Sequence, residues 1–185
     1  MALVEGNEGS NTLQGTSGDD VIRAGGATDV VQAGAGDDVV YGGANQDTLI
    51  GGSGNDELYG QGSNDKLRGG EGDDLLDGGG QNDRIYGGDG NDIIIGGNDD
   101  DVLYGDNPND NNDNEGYADQ FVFDSDDGND KVFDFETGID KVVLIDGGSY
   151  TLNYDGNNTI MTYGATTVIF YDEHVVDSDI AWSLV

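Results

Sequence analysis

The residues best equipped for chemistry are aspartates, and they recur at every ninth position. Asp20, Asp29, Asp38, Asp47, Asp56, Asp65, Asp74, Asp83, Asp92, Asp101, Asp110 and Asp119 share one register, and Asn11 stands at its start. Carboxylates at a fixed repeat are the ligands of a hard cation. The chain offers few other chemical groups. It has one histidine, His174, and no cysteine, which disfavours a zinc centre. No nucleophile motif accompanies His174, and the glycine-rich segments lack the Lys-Ser/Thr that completes a phosphate-binding loop. Carboxylate pairs of the kind that hydrolyse glycosides are plentiful, but nearly all belong to the aspartate column. The chain is therefore not expected to be an enzyme by itself, although it could serve as the accessory part of one.

The column needs a scaffold, and the repeat supplies it. From Gly6 to Val122 the sequence divides without a gap into 13 nine-residue units, such as Gly51-Gly-Ser-Gly-Asn-Asp-Glu-Leu-Tyr59. Glycines early in each unit permit a tight turn over its first six residues. The last three residues make a short strand whose middle side chain, from Leu13 and Ile22 to Leu103 and Phe121, points inward. Two units close one coil, and stacked coils set like residues in ladders about 4.8 Å apart.

Such a stack sets aspartate above aspartate. Two carboxylates at about 4.8 Å repel by about 0.9 kcal/mol in water and about 3.5 kcal/mol at an effective dielectric of about 20. The whole chain carries 39 acidic against 6 basic residues among 185, a net charge of -33. One aliphatic residue per nonapeptide cannot offset that repulsion. Ca²⁺ can, because it takes six to eight oxygens at about 2.3–2.6 Å with little demand on geometry, whereas Mg²⁺ keeps its waters. About ten ions are expected along two edges of roughly six coils.

The same composition excludes other partners. Six basic residues in an acidic field make nucleic acid or anionic lipid poor ligands. The longest aliphatic run, Val142 to Ile145, is far short of the about 20 residues of a membrane span. Met-Ala-Leu-Val-Glu-Gly-Asn at the start lacks the basic and apolar regions of a cleavable leader.

The unit G-G-x-G-x-D-x-U-x, with U apolar, is seen at Gly51–Tyr59, Gly69–Asp77 and Gly87–Ile95. It resembles the RTX, or hemolysin-type, calcium-binding nonapeptide over residues 6–122. The resemblance implies an all-β fold, a right-handed parallel β-roll, with Ca²⁺ between adjacent turns. Its ligands would be the sixth-position aspartates Asp20, Asp29, Asp38, Asp47, Asp56, Asp65, Asp74, Asp83, Asp92, Asp101 and Asp119 with turn carbonyls, and the turn glycines Gly18, Gly36, Gly54, Gly72 and Gly90 belong to these sites. It also implies an extracellular destination through type I secretion machinery, which reads an uncleaved C-terminal signal and passes an unfolded chain. The tail from Asp177 to Val185, acidic then apolar, looks like the end of such a signal.

Three departures qualify the repeat. Position four alternates between Gly18, Gly36, Gly54, Gly72 and Gly90 on one edge and Ala27, Asn45, Ser63, Gln81 and Asp99 on the other. The glycine edge, with Asp19, Asp37, Asn55, Asp73 and Asn91 at position five, is expected to hold Ca²⁺ more tightly. The unit Gly105–Asp113 contains Pro108 and lacks its inward apolar residue, so residues 105–116 read as a surface loop. Beyond Phe121 the period slips. The chain is therefore divided into a roll, 1–122, and a C-terminal capping β segment, 123–185, with hairpin strands near Tyr150–Tyr154, Thr159–Tyr163 and Thr166–Tyr171.

Outward strand positions suggest binding surfaces. Lys66 and Arg68 lie one coil from Arg84 and Tyr86, with Tyr104 next in the column. This basic stripe would suit an acidic polysaccharide such as alginate, with the tyrosines as sugar-stacking platforms. It is similar to the R-modules of bacterial alginate epimerases, which assist a separate catalytic module. The opposite face presents Val21, Val39, Leu75 and Ile93 beside Tyr41, Tyr59 and Ile95, as an adhesin or surface-layer segment would. A folded monomer is expected.

Overall fold

Short strands alternate between two sheets. The computed structural model describes residues 1–106 and 116–182. Strands are numbered in chain order. The first sheet runs β1 (Leu3–Asn7), β3 (Val21–Gly25), β5 (Val39–Gly43), β7 (Glu57–Gln61), β9 (Leu75–Gly80), β11 (Ile93–Asn98), β13 (Gln120–Phe123), β15 (Lys141–Leu144) and β19 (Ile180–Trp182). The second runs β2 (Thr12–Gln14), β4 (Val30–Ala35), β6 (Thr48–Ser53), β8 (Lys66–Glu71), β10 (Arg84–Asp89), β12 (Val102–Tyr104), β14 (Asn129–Phe133), β18 (Thr166–Phe170), β17 (Asn158–Tyr163) and β16 (Tyr150–Asp155). The first sheet is parallel throughout, and the second is parallel up to β18, after which β17 and β16 pair antiparallel. The protein is thus an all-β, parallel β-roll.

Register follows the doubled nonapeptide. Leu58 pairs with Leu76 and Leu76 with Ile94 on one side; Leu49 pairs with Leu67 and Ile85 with Leu67 on the other. Because side chains alternate along a strand, the eighth-position residues from Ile22 to Leu103 turn inward, and all are fully buried. They form one narrow core. Each sheet hides one face in it and leaves the other to solvent.

The core changes character at the C-terminal end. Phe121, Phe123, Phe135, Tyr163 and Phe170 replace single aliphatics there, and Phe135 meets Phe170 edge-on at 5.1 Å. Strands β14 and β15 lie beyond the boundary at 122, yet they continue both sheets in register with β12 and β13. The antiparallel strands then cover the end of the second sheet. Strand β19 is anchored by buried Asp179, which accepts hydrogen bonds from Gly138 N and Val176 N and pairs with Lys141 Nζ at 3.7 Å. Among the described residues there is no α-helix, and no helix is long and apolar enough to cross a membrane.

Strand β13 follows β12 in sequence and joins the first sheet beside β11, so the alternation of the two sheets continues. The nonapeptide with Pro108 and Asp110, where a surface loop is expected, falls mostly at residues 107–115, outside the described residues, as do 183–185 of the tail.

Candidate metal centre

The sixth-position aspartates stand where each turn enters its strand, and the roll stacks them in two columns. On one edge Asp38 N donates to Asp56 Oδ1 at 2.8 Å, Asp56 N to Asp74 Oδ1 at 2.7 Å, and Asp74 N to Asp92 Oδ1 at 2.8 Å. On the other, Asp29, Asp47, Asp65, Asp83 and Asp101 repeat the pattern at 2.7 Å per step. One carboxylate oxygen per residue is thereby used to clamp neighbouring coils.

The second oxygen is not used. Oδ2 of Asp29, Asp38, Asp47, Asp56, Asp65, Asp74, Asp83, Asp92 and Asp101, and of Asp130, is buried without a hydrogen-bond partner. A buried acceptor without a donor is costly, and a charged one far more so. Burial raises these groups accordingly: Asp47 and Asp56 to about 6, Asp65, Asp83 and Asp92 to about 7, Asp74 and Asp119 to about 8 and Asp101 to about 9. Their stacked neighbours raise them further by like-charge repulsion.

First-position glycines Gly42, Gly51, Gly60, Gly69, Gly78 and Gly87 make room beside the unused oxygens of Asp47, Asp56, Asp65, Asp74, Asp83 and Asp92. A Cβ on Gly60 would stand 2.6 Å from Asp65 Oδ2 and 2.6 Å from Gly78 O of the next coil. The same convergence occurs at Gly42, with Asp47 Oδ2 at 2.8 Å and Gly60 O at 2.9 Å. These six turns each bring a carboxylate oxygen and a backbone carbonyl oxygen to one glycine-lined recess. No group of three or more His, Cys, Asp or Glu side chains forms a metal cluster among the described residues. A cation here must take most of its ligands from the backbone, as the hard, flexible coordination of Ca²⁺ permits. The donor set fits Ca²⁺.

A family model for the RTX calcium-binding nonapeptide repeat matches four stretches, residues 5–40, 24–58, 41–76 and 77–111. The chain belongs to this family. No curated protein matches it. Among solved structures it is similar to the extracellular lipase LipA of Serratia marcescens, at 17% identity and a TM-score of 0.38, over 95% of this chain and 40% of the lipase. The RTX chain described here thus spans two fifths of that protein's length. It is also similar to the AlgE6R3 subunit of the Azotobacter vinelandii mannuronan C5-epimerase, at 18% identity and a TM-score of 0.24, over 94% of this chain and 79% of that one.

The ends of the RTX ladders differ from their middles. Asp20 Oδ2 accepts bonds from Thr16 N at 2.7 Å and Thr16 Oγ1 at 2.8 Å, and its pKa is lowered, first by the Ala2 N–H and then by Thr16. Asn11 opens the other edge; its N–H reaches Asp29 Oδ1 at 2.6 Å, and its side-chain amide donates to Gly9 O. At the far end, Asp92 N donates to Asp119 Oδ1 at 2.8 Å, Asp119 N to Asp140 Oδ1 at 2.9 Å and Asp101 N to Asp130 Oδ1 at 3.0 Å. Asp130 and Asp140 thus extend the ladders past residue 122. Their signal was the Asp-x-apolar triplet retained in Asp130-Lys-Val132 and Asp140-Lys-Val142, masked by irregular spacing.

Geometry also explains the alternation at position four. Ala27, Asn45, Ser63, Gln81 and Asp99 take φ of 64° to 84°, within the left-handed region that side chains tolerate. Gly36, Gly54, Gly72 and Gly90 take 100° to 134°. A Cβ on Gly36 would lie 2.6 Å from Asp19 N, so only glycine fits. Gly18, with no coil beneath it, has open space. The position-five side chains of this edge make a second ladder of opposite sense: Asn55 N donates to Asp37 Oδ1 at 2.9 Å and Asn91 N to Asp73 Oδ1 at 2.9 Å.

On the outer face of the second sheet, Lys66 pairs with Arg84, Arg84 with Val102 and Val102 with Lys131. Lys131 joins a column in which sequence spacing alone had put only Lys66 and Arg84. These side chains line an open groove of about 550 Å³ together with Gln46, Asn64, Asn82 and the aspartates Asp65, Asp83, Asp100, Asp101 and Asp130. Lys66, Arg68, Arg84 and Lys131 form no ion pair among the described residues, despite the acidic surroundings. The neighbouring column stacks Tyr86, Tyr104, Phe133 and Tyr171 face to face at 4.7–4.9 Å. In that column the ring faces are turned to one another.

Proposed function

We propose that this chain is a non-catalytic, secreted RTX module that folds when Ca²⁺ enters its two aspartate ladders, and that it stabilises or targets an attached module. The observation that carries the reading is the row of ten buried, partnerless carboxylate oxygens. Without a cation each opposes the closed roll; with one, each becomes a ligand. Folding free energy is then largely metal-binding free energy. About ten ions would lower the net charge from -33 to about -13.

Such coupling suits export by a type I route. Cytosolic Ca²⁺ at about micromolar levels or below leaves the ladders empty and the chain expanded, and external Ca²⁺ near the millimolar range folds it. Far-UV circular dichroism tests the reading directly. Strand signal should appear at about 10 mM Ca²⁺ and vanish in excess chelator; identical spectra in the two solutions would refute it.

A second reading, an acidic polysaccharide on the second sheet, is favoured by the cations of that face, which form no ion pair among the described residues. Lys66, Arg84 and Lys131 span three strand spacings, about 14 Å, along the roll axis. An extended polyuronate could lie along them, with Arg68 beside it and groove amides as further donors. Tyr86 then supports Lys66, whose Nζ lies 5.4 Å from its ring centre, rather than a sugar. Calorimetric titration of oligouronates into the Ca²⁺-loaded protein, with neutral oligosaccharides as control, separates this reading from a folding module alone.

A further inference from the structure

The geometry points to a cavity in the cap that takes a guanidinium group, the arginine side chain of a partner protein. It lies where the chain leaves β14 and β18. Those strands end side by side, with Tyr171 N donating to Val132 O at 3.0 Å. Asp134 and Asp172 then turn away at left-handed φ of 63° and 60°. The two turns wall a cavity of about 230 Å³, lined by Phe133, Phe135, Tyr171, Glu136, Asp172 and Glu173.

Glu136 is the centre of this cavity's chemistry. The residue is half-buried, yet both of its carboxylate oxygens are buried and neither has a hydrogen-bond partner. It forms no ion pair among the described residues. Asp74 leaves one oxygen unused, whereas Glu136 leaves two. Two open oxygens on one carboxylate are what a guanidinium fork meets with parallel N–H bonds. The backbone fixes their position. Glu136 N donates to Asp140 Oδ2 at 2.7 Å, Glu136 O accepts Asp140 N at 2.9 Å, and the preceding Phe135 is held edge-on against Phe170 at 5.1 Å. An acceptor held in place before binding costs little to order.

The neighbouring oxygens leave too few ligands for a metal ion. Asp140 uses both of its oxygens, on Asp119 N at 2.9 Å and Glu136 N at 2.7 Å, and Glu173 Oε2 accepts Thr137 Oγ1 at 3.0 Å. No three acid side chains converge on a metal position among the described residues. Much of the wall is instead aromatic, with Phe133 and Tyr171 stacked at 4.7 Å. Ring carbons give Ca²⁺ no ligand, whereas a guanidinium pairs with a carboxylate and also lies against rings. A lysine ammonium lacks the planar fork. Exposed Asp172 and half-buried Glu173 add negative charge to the same wall, and the net charge of -33 favours a basic partner. The site goes beyond the calcium reading, since it uses none of the unpartnered ladder oxygens.

The test titrates N-acetyl-arginine amide into the Ca²⁺-loaded full chain and follows backbone amide shifts by NMR. Saturable shifts should be confined to residues 133–137 and 171–174. N-acetyl-citrulline amide, neutral and of similar shape, should give none, and N-acetyl-lysine amide should bind at least about threefold more weakly. Glu136→Gln should weaken arginine binding by about tenfold or more. Tyr171→Leu should weaken it by about threefold, while exposed Asp155→Asn should change nothing. Free arginine, whose own carboxylate would face Asp172 and Glu173, should bind more weakly than the blocked form. The Ca²⁺ count and circular dichroism of Glu136→Gln should match wild type. Absence of shifts, equal binding of citrulline or lysine, undiminished binding by Glu136→Gln, or loss of one Ca²⁺ ion from that variant would overturn the site. Free arginine binding as well as the blocked form would overturn a protein source, and each of these outcomes leaves the calcium reading standing.

Discussion

The backbone N–H of Asp56 donates to Oδ1 of Asp74 at 2.7 Å, and Oδ2 of the same Asp74 is buried without a partner. One residue therefore does two things, clamping the coil before it and leaving an acceptor that only a cation satisfies. The division of labour between the two oxygens predicts different outcomes for different ladder positions. Asp74→Asn keeps the clamp, because an amide oxygen still accepts, but removes the charged ligand. Calcium calorimetry should show a lower ion count and a weaker midpoint for it. Asp20→Asn should leave the count unchanged, since Thr16 already occupies Asp20 Oδ2. Equal losses from both variants would contradict this assignment.

Acid should partly replace calcium. Burial lifts Asp65, Asp83 and Asp92 to about 7 and Asp74 to about 8. In the metal-free chain these groups hold protons when folded that they release when unfolded. Their contribution to stability is thus fully present below about pH 4 and is lost as pH rises through 7 to 8. Chelator-treated protein should show more strand signal by circular dichroism near pH 4.5 than at pH 8. Calcium binding runs the other way, because ligands must be deprotonated, and the apparent affinity should fall as pH is lowered from 8 to 5.

The two edges should respond differently to alanine at position four. Gly36→Ala forces a Cβ against Asp19 N at a φ of 100°, which strains the backbone by about 1–3 kcal/mol before the clash is counted. Ser63→Ala, at φ 84° on the opposite edge, adds no atom and should shift stability by less than about 0.5 kcal/mol. Thermal melts in saturating Ca²⁺ distinguish the two.

If polyuronate binds the second sheet, Lys66→Ala/Arg84→Ala/Lys131→Ala should abolish its heat of binding while Arg23→Ala on the other sheet does not. The affinity should also drop as salt is raised, since the contacts are exposed and screened. Undiminished binding by the triple variant would exclude this face.

The sequence alone determined the repeat, the inward column and the metal. A nine-residue period with alternating strand positions leaves one way to bury Ile22 through Leu103, and aspartate at a constant place in each turn must then stack upon aspartate. Nothing further was needed to infer Ca²⁺. What periodicity could not show is how each carboxylate divides its oxygens, because that depends on contacts between residues 18 apart. It also hid the ends. Thr16 relieves Asp20, Asn11 closes the other edge, and Asp130 and Asp140 rejoin ladders from which their spacing had removed them. Lys131 entered the basic column for the same reason: the interval from Val102 to Lys131 is not a multiple of the period, and only strand pairing shows the register. Repetition fixes whatever depends on neighbours one period away, while only the folded chain decides what happens where the period breaks.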